Sequence, residues 1–260
     1  MSCAPMAVEL ETTQDAVLGG RLQLRQPKRG HRVGHDAILL AAATGGVYGE
    51  HAVDLGAGVG GAGLALAARV EGLKVTLVEI DPVFSALAAA NAALNLLEGR
   101  VKVILGDAEN NAALAAAGLA AGCADRVLMN PPFNDAVRQN VSPDPRRRLA
   151  YVGDPGLLRR WVASAGVLLK PQGMLTLIWR ADALADVLTV LAPAFGSFGV
   201  MQVAPRPAAA PIRVLVRAAK GGQGARTNYP ELILNDAEGK PTAAAEAVLR
   251  AAEKLSIAEL

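Results

Sequence analysis

Cysteine, histidine and aromatic residues are scarce in this chain of 260 residues: it holds two cysteines, three histidines and 3% aromatics. Cys3 and Cys123 lie far apart with no paired spacing, which argues against a disulfide framework. With so few histidines there is no Cys/His zinc pattern either, so no metal is expected. Long apolar runs are also missing. The uncharged Ala-rich stretch NNAALAAAGLAAGCA over residues 110–124 falls short of the ~20 residues that cross a bilayer and reads as a helix. The opening MSCAPMAVELETTQDAVLGG carries Glu9, Glu11 and Asp15 and no basic segment, unlike a secretory leader. A cytoplasmic location without a membrane partner is the expectation. Apolar residues reach 52% and charged residues only 19%, so the chain can bury a core and disorder is not expected.

The formal net charge of +2 hides an uneven distribution. Residues 21–32 hold five Arg/Lys and no acid; residues 138–160 hold six Arg and two Asp; residues 205–227 hold five Arg/Lys and no acid. If these stretches converge, they form a positive surface suited to a polyanion such as RNA. The alternative is three solvated loops on different faces.

Apolar runs of strand length alternate with Ala/Leu-rich runs of helix length. HAVDL (51–55), KVTLVEI (74–80), VKVIL (101–105), DRVLM (125–129) and MLTLIW (174–179) read as strands. Helices are predicted at 83–97, with Asp81 as N-cap and Pro82 at the first helical position, then at 155–170 and near 181–192. FGVMQVA (198–204) and IRVLVRAA (212–219) are too close for a helix between them, so they should pair antiparallel. The fold class predicted is α/β, a Rossmann-like seven-stranded mixed sheet with its last strand antiparallel and helices on both faces. Residues 1–45 read as a separate hairpin-helix extension, with a hairpin in LQLRQPKRGHRV and a helix in HDAILLAAAT; residues 46–260 form the main domain. A closing helix is predicted over 241–257.

VDLGAGVGGAG (53–63) contains G-x-G-x-x-G at Gly56, Gly58 and Gly61 between a strand and a helix, where open α/β sheets bind ligands. Asp54 selects among ligands. A carboxylate there repels a dinucleotide's pyrophosphate but suits S-adenosylmethionine, which has no phosphate and carries a sulfonium and an ammonium. That disfavours an oxidoreductase. Glu79 ends the second strand, where an acid can accept both ribose hydroxyls, and Asp107 at the third strand end can receive an adenine amino group.

The fourth strand ends in Asn130-Pro131-Pro132-Phe133. An exocyclic base amine is a poor nucleophile because its lone pair is delocalised into the ring. Two acceptors aimed at its hydrogens, the Asn130 side-chain oxygen and the Pro131 carbonyl, favour the tetrahedral geometry that attack on a methyl needs. Proline rigidity fixes the carbonyl's direction, and positioning with electrostatics does the rest. Phe133 can stack on an extruded base.

In order and spacing, VDLGAGVGGAG, LVEID, GDA and NPPF resemble the class I S-adenosylmethionine-dependent methyltransferases with an Asn-Pro-Pro-aromatic motif. The flanks, LGGRLQLRQPKRGHRVGHDAILLAAAT (18–44) and IRVLVRAAKGGQG followed by PELILNDAEGKPTAAAEAVL, resemble the bacterial tRNA (valine) adenine-N6 methyltransferase family. The resemblance covers about residues 10–257. It implies S-adenosylmethionine as cofactor, held by Asp54, Gly56, Ala57, Gly58, Glu79, Ile80, Asp107, Ala108 and Asn130, with Gly34 and Asp36 in a Gly34-His35-Asp36 turn over the methionine end. Two features depart from it: the best-known tRNA members carry Tyr where Phe133 stands, and RRRLAYVG (146–153) lacks an Arg-His-Glu ending found in many relatives.

The expected activity is methylation of an exocyclic base amine of RNA, adenine N6 in a tRNA, with Arg29, Arg32, Arg146, Arg147, Arg148 and Arg213 as candidate phosphate contacts. Guanine N2 in rRNA, glutamine N5 in a protein, and a cofactor-binding RNA chaperone without turnover stay open as alternatives.

Overall fold

The computed structural model describes residues 11–30, 32–132 and 156–259. It begins with a hairpin of β1 (Thr12–Val17) and β2 (Leu22–Pro27), antiparallel, joined by the 3-10 turn Leu18–Gly20. The hairpin predicted inside residues 22–33 is therefore misplaced: its first strand pairs backwards, with β1. The sequence TTQDAV gave β1 no apolar alternation to announce it, and every second residue of β1 is exposed. The return segment is tied down by side chains instead. Arg32 Nη1 donates to Thr13 Oγ1 (3.0 Å) and to the Pro27 carbonyl (2.9 Å), and Nη2 donates to Asp15 Oδ2 (2.7 Å).

After α1 (His35–Thr44) the alternation expected from the sequence appears: β3 (His51–Leu55), α2 (Gly61–Arg69), β4 (Lys74–Glu79), α3 (Pro82–Leu94), β5 (Val101–Leu105), α4 (Asn111–Ala116), β6 (Ala124–Met129), α5 (Leu157–Leu168) and β7 (Leu169–Arg180). Then come α6 (Leu184–Leu191), β8 (Phe195–Ala204) and β9 (Arg213–Lys220). Asp81 caps α3 as predicted, its Oδ1 accepting the N–H groups of Val83 (2.8 Å) and Phe84 (3.3 Å), with Pro82 behind it. α4 is shorter than the Ala-rich run at 110–124, and Gly118 at φ +99° turns the chain away from a helical path.

The strands lie in the order β8-β9-β7-β6-β3-β4-β5, and β9 runs antiparallel to both β7 and β8. These are the seven expected strands. Two more, β10 (Thr227–Asn228) and β11 (Leu232–Ile233), pair with β8 and make the sheet nine-stranded. They cover the outer edge of β8, which would otherwise leave backbone groups unpaired; at two residues each they leave no periodic trace. The closing helix is also shorter than predicted: α7 spans Ala243–Leu249, and a 3-10 turn at Ser256–Glu259 follows. Ala252 at φ +65° breaks it, and Arg69 donates to the carbonyls of Val248 and Glu253 (2.7 Å each).

Each face of the sheet has its own aliphatic core. The hairpin, α1, α2, α3 and α7 cover one face, and α4, α5 and α6 the other. α2 buries every residue from Gly61 to Ala67, because glycines and alanines let it sit close on the strands. From β3 the chain steps outward to β4 and β5, then returns to place β6 on β3's other side. Strand order reverses there, and the crevice beyond the carboxyl ends of β3 and β6 is where such sheets take ligands. Among the described residues no helix is long and apolar enough to cross a membrane.

Candidate active site

The register of β3, β4, β5 and β6 sets Leu55, Glu79, Leu105 and Met129 along one edge, so the loops after them meet. In the glycine loop, the N–H groups of Gly56 and Ala57 both donate to the Val78 carbonyl (2.9 Å each). Gly56 has φ +72°, and a β-carbon there would overlap the buried ring of Trp161 on α5. Gly58, at φ +57°, is the opposite case: a β-carbon would meet nothing within 4 Å among the described residues. One glycine is fixed by protein behind it, and the other leaves open space in front.

Two buried carboxylates hold this loop. Glu79 accepts from Gly58 N–H through Oε2 (2.7 Å) and from Asp81 N–H through Oε1 (2.8 Å). Asp54 Oδ2 accepts from Gly63 N–H in α2 (2.8 Å). Asp54 is 2% exposed and Glu79 7%. Burial pushes the Asp54 carboxyl up to about 7, against the pull of the Gly63 hydrogen bond, and the charge of Glu79 adds to the rise. Burial raises Glu79 as well, opposed by its backbone hydrogen bonds. No Lys or Arg among the described residues forms an ion pair with either acid. Two mutually repelling acids under an open glycine turn favour an incoming cation.

Asp107 lies at the next strand end, with Oδ1 accepting from Glu109 N–H (2.9 Å); Ala108 is buried beside it, and Ile80 is 44% exposed. Glu109 is bound by Arg160 of α5 (2.6 Å). At the end of β6, Asn130 Oδ1 is buried and has no hydrogen-bond partner among the described residues. An unpaired buried acceptor costs about 1–3 kcal/mol, so an arriving N–H would find a prepared oxygen. Pro131 is buried and Pro132 half-buried. Phe133 and the Arg146, Arg147 and Arg148 run lie outside the described residues.

The lead-in reaches the same crevice. Gln26 Oε1 accepts from Val33 N–H (2.9 Å), and the Val33 side chain packs where a β-carbon on Gly61 would stand. Gly34 and His35 are exposed next to it. Asp36 Oδ2 accepts from Arg213 Nε (2.8 Å), so a residue expected at the cofactor and one expected at RNA face each other. Arg32 is likewise engaged within the chain, whereas Arg29 is exposed.

The expectation of three converging basic stretches needs correction for the third. Arg217 is fully buried in the middle of β9, and Lys220 donates to the Leu169 carbonyl (2.7 Å) at the sheet's other end. Only Arg206 and Arg213 flank the β8–β9 turn, which the antiparallel pairing puts at the crevice end.

Sequence reading missed Asn91 and Asn95. Asn91 is fully buried; its Oδ1 accepts Arg25 N–H (2.7 Å), and its Nδ2 donates to the carbonyls of Arg25 and Val59 (2.9 Å each). Asn95 Oδ1 accepts Gln23 N–H (2.8 Å), and Nδ2 donates to the carbonyls of Gln23 and Asn91 (2.7 Å each). The signal was present: two amides four residues apart in an otherwise apolar helix, hence on one face. Trp161 carried no such signal.

An open sheet with this strand order, a glycine loop after β3 and Asn-Pro-Pro after β6 define a Rossmann-like methyltransferase fold. The chain belongs to the methyltransferase small domain family, whose model matches residues 36–205. A tRNA1(Val) (adenine(37)-N6)-methyltransferase of Porphyromonas gingivalis is 33% identical over 171 residues, covering 64% of this chain and 66% of that protein. One of Bacteroides fragilis is 29% identical over 192 residues, 71% of this chain and 76% of its own. The match thus spans just under two thirds of the P. gingivalis relative. Among solved structures, one described as a predicted O-methyltransferase of Agrobacterium tumefaciens has a TM-score of 0.69 at 28% identity, covering 82% of this chain and 94% of that one.

Proposed function

We propose that this chain is an S-adenosylmethionine-dependent methyltransferase that modifies an exocyclic base amine of RNA, with adenine N6 of a tRNA as its target. The observation that carries this reading is a juxtaposition. Two buried acids with no cation partner among the described residues lie under an open glycine turn, next to a buried amide oxygen with no donor among them.

The residues fit the donor. The ligand supplies a methyl group made electrophilic by its sulfonium. Asp54 and Glu79 provide negative charge beneath the loop. Glu79 still has lone pairs free for ribose hydroxyls, since each oxygen accepts one backbone bond. The Gly56-Ala57-Gly58 backbone receives the methionine end, with Gly34 and the start of α1, His35 and Asp36, over it. Asp107 takes the adenine amine, and Ile80 and Ala108 provide apolar sides. Asn130 Oδ1 and the Pro131 carbonyl accept the target amine's hydrogens and direct its lone pair at the methyl. Pro132 stiffens the turn, and Phe133 stacks on the base. Arg29, Arg32, Arg146, Arg147, Arg148 and Arg213 hold phosphates, those already paired within the chain by exchanging partners. In this reading residues 1–45 complete the crevice, residues 46–260 bind the donor, and the enzyme works in the cytoplasm. The tRNA target has its support in the names of the P. gingivalis and B. fragilis relatives.

Mass spectrometry of nucleosides and of release-factor peptides from cells lacking this protein tests the target. The expected result is loss of N6-methyladenosine from tRNA. Intact tRNA methylation with loss of N2-methylguanosine from rRNA, or of a methylated glutamine from a release factor, would refute it.

A further inference from the structure

The amides of Asn91 and Asn95 do to β2 what a neighbouring strand does. Each accepts one residue's N–H and donates to the same residue's carbonyl, at Arg25 and Gln23 respectively. The spacings agree: four residues along a helix rise about 6 Å, and two along a strand about 6.6 Å. β2 therefore pairs with β1 on one edge and with a row of side-chain amides on the other. Asn91 does one thing more. Its second amide hydrogen goes to the carbonyl of Val59, inside the turn that Gly60 N–H closes on the Ala57 carbonyl (2.9 Å). Gly58, the open glycine, sits within that turn. With Asn91 wholly buried, its amide is what satisfies those backbone groups in the folded chain, and truncating it leaves them without their partner.

We propose that Asn91 is a positioning residue for the methyl donor: one amide fixes the Ala57–Gly60 turn and the N-terminal hairpin together, so that hairpin docking and donor binding are coupled. The inference rests on the donor-binding reading above. Asn95 docks the same hairpin without touching the glycine loop, so its loss reaches the donor only indirectly, through Asn91, and serves as the milder comparison.

Titration calorimetry with S-adenosylhomocysteine on Asn91→Ala, Asn95→Ala and the unaltered chain separates the outcomes. Asn91→Ala should weaken binding about tenfold and raise the donor KM with little change in kcat, while Asn95→Ala stays within about twofold. Equal affinities in the two variants would overturn the inference while leaving the donor reading intact. No uptake by the unaltered chain would remove the donor reading itself, and this inference with it. Hydrogen exchange on the unaltered chain needs no variant to fold. Adding S-adenosylhomocysteine should slow exchange at the Arg25 amide together with Gly58 and Gly60. Protection of the loop with Arg25 unchanged would refute the coupling.

Discussion

Replacing Asp54 with asparagine separates its charge from its shape, because an amide oxygen can still accept the Gly63 N–H. The buried carboxyl sits near 7, above its ordinary 3.8. The folded chain therefore keeps a proton that the unfolded chain gives up. This group's contribution to stability is present below about 3.8 and is lost as pH rises towards 7 and beyond. Asp54→Asn should melt above the unaltered protein at pH 8, with the gap narrowing towards pH 5, yet bind S-adenosylmethionine at least tenfold more weakly. A lower melting temperature at pH 8 would contradict this. The two loop glycines should also part company. Gly56→Ala must enter the Trp161 ring and keep a positive φ, a cost on the order of 2–4 kcal/mol in denaturant unfolding. Gly58→Ala meets nothing among the described residues and should lose only about 1–2 kcal/mol, but its methyl should cut donor affinity sharply in the same calorimetric assay. The glycines and acids were legible in the sequence because their chemistry depends on strand ends, which apolar runs mark. That Gly56 answers to Trp161 was not legible, since a residue on α5 reaches it only through the fold.

Among the elements, β9 holds a surprise for charge counting. Arg217 belongs to a basic stretch of the sequence, but its side chain is fully buried, donating through Nη1 to the Ile257 carbonyl (2.9 Å). Nε and Nη2 have no partner among the described residues, and burial lowers its pKa to about 10. A buried charge with unsatisfied donors is weak support for a fold. Arg217→Met, close in volume, should unfold at the same urea concentration as the unaltered chain or a higher one. Arg217→Ala should lose about 2–5 kcal/mol through the void it leaves. A large loss in the Met variant would show that the guanidinium stabilises the C-terminal turn. β3 to β9 were readable because each is an apolar run between turn residues. β1, β10 and β11 were not, because a polar or two-residue strand takes its place from a partner's edge rather than from its own pattern.

At the scale of the whole molecule, the charge asymmetry places cations at both ends of the sheet. Arg29 and Arg206 are exposed on segments at the crevice end, while Lys220 sits at the other. Arg29→Ala and Arg206→Ala should each weaken tRNA binding and flatten the slope of log affinity against log salt by about one unit. Lys220→Ala should leave both unchanged in a gel-shift series. If Lys220→Ala matters as much, RNA wraps the far end too. Net charge per segment was plain from the sequence; which end each cation occupies depends on strand direction, and β9 reverses it.

Every role assigned above depends on the crevice at the tips of β3 to β6 binding the methyl donor. Calorimetric titration of the unaltered chain and of Glu79→Ala with S-adenosylhomocysteine tests it most directly. The unaltered chain should bind one molecule, displaced by S-adenosylmethionine, and Glu79→Ala should give little or no heat. No heat from the unaltered chain, or equal heat from both, would contradict it.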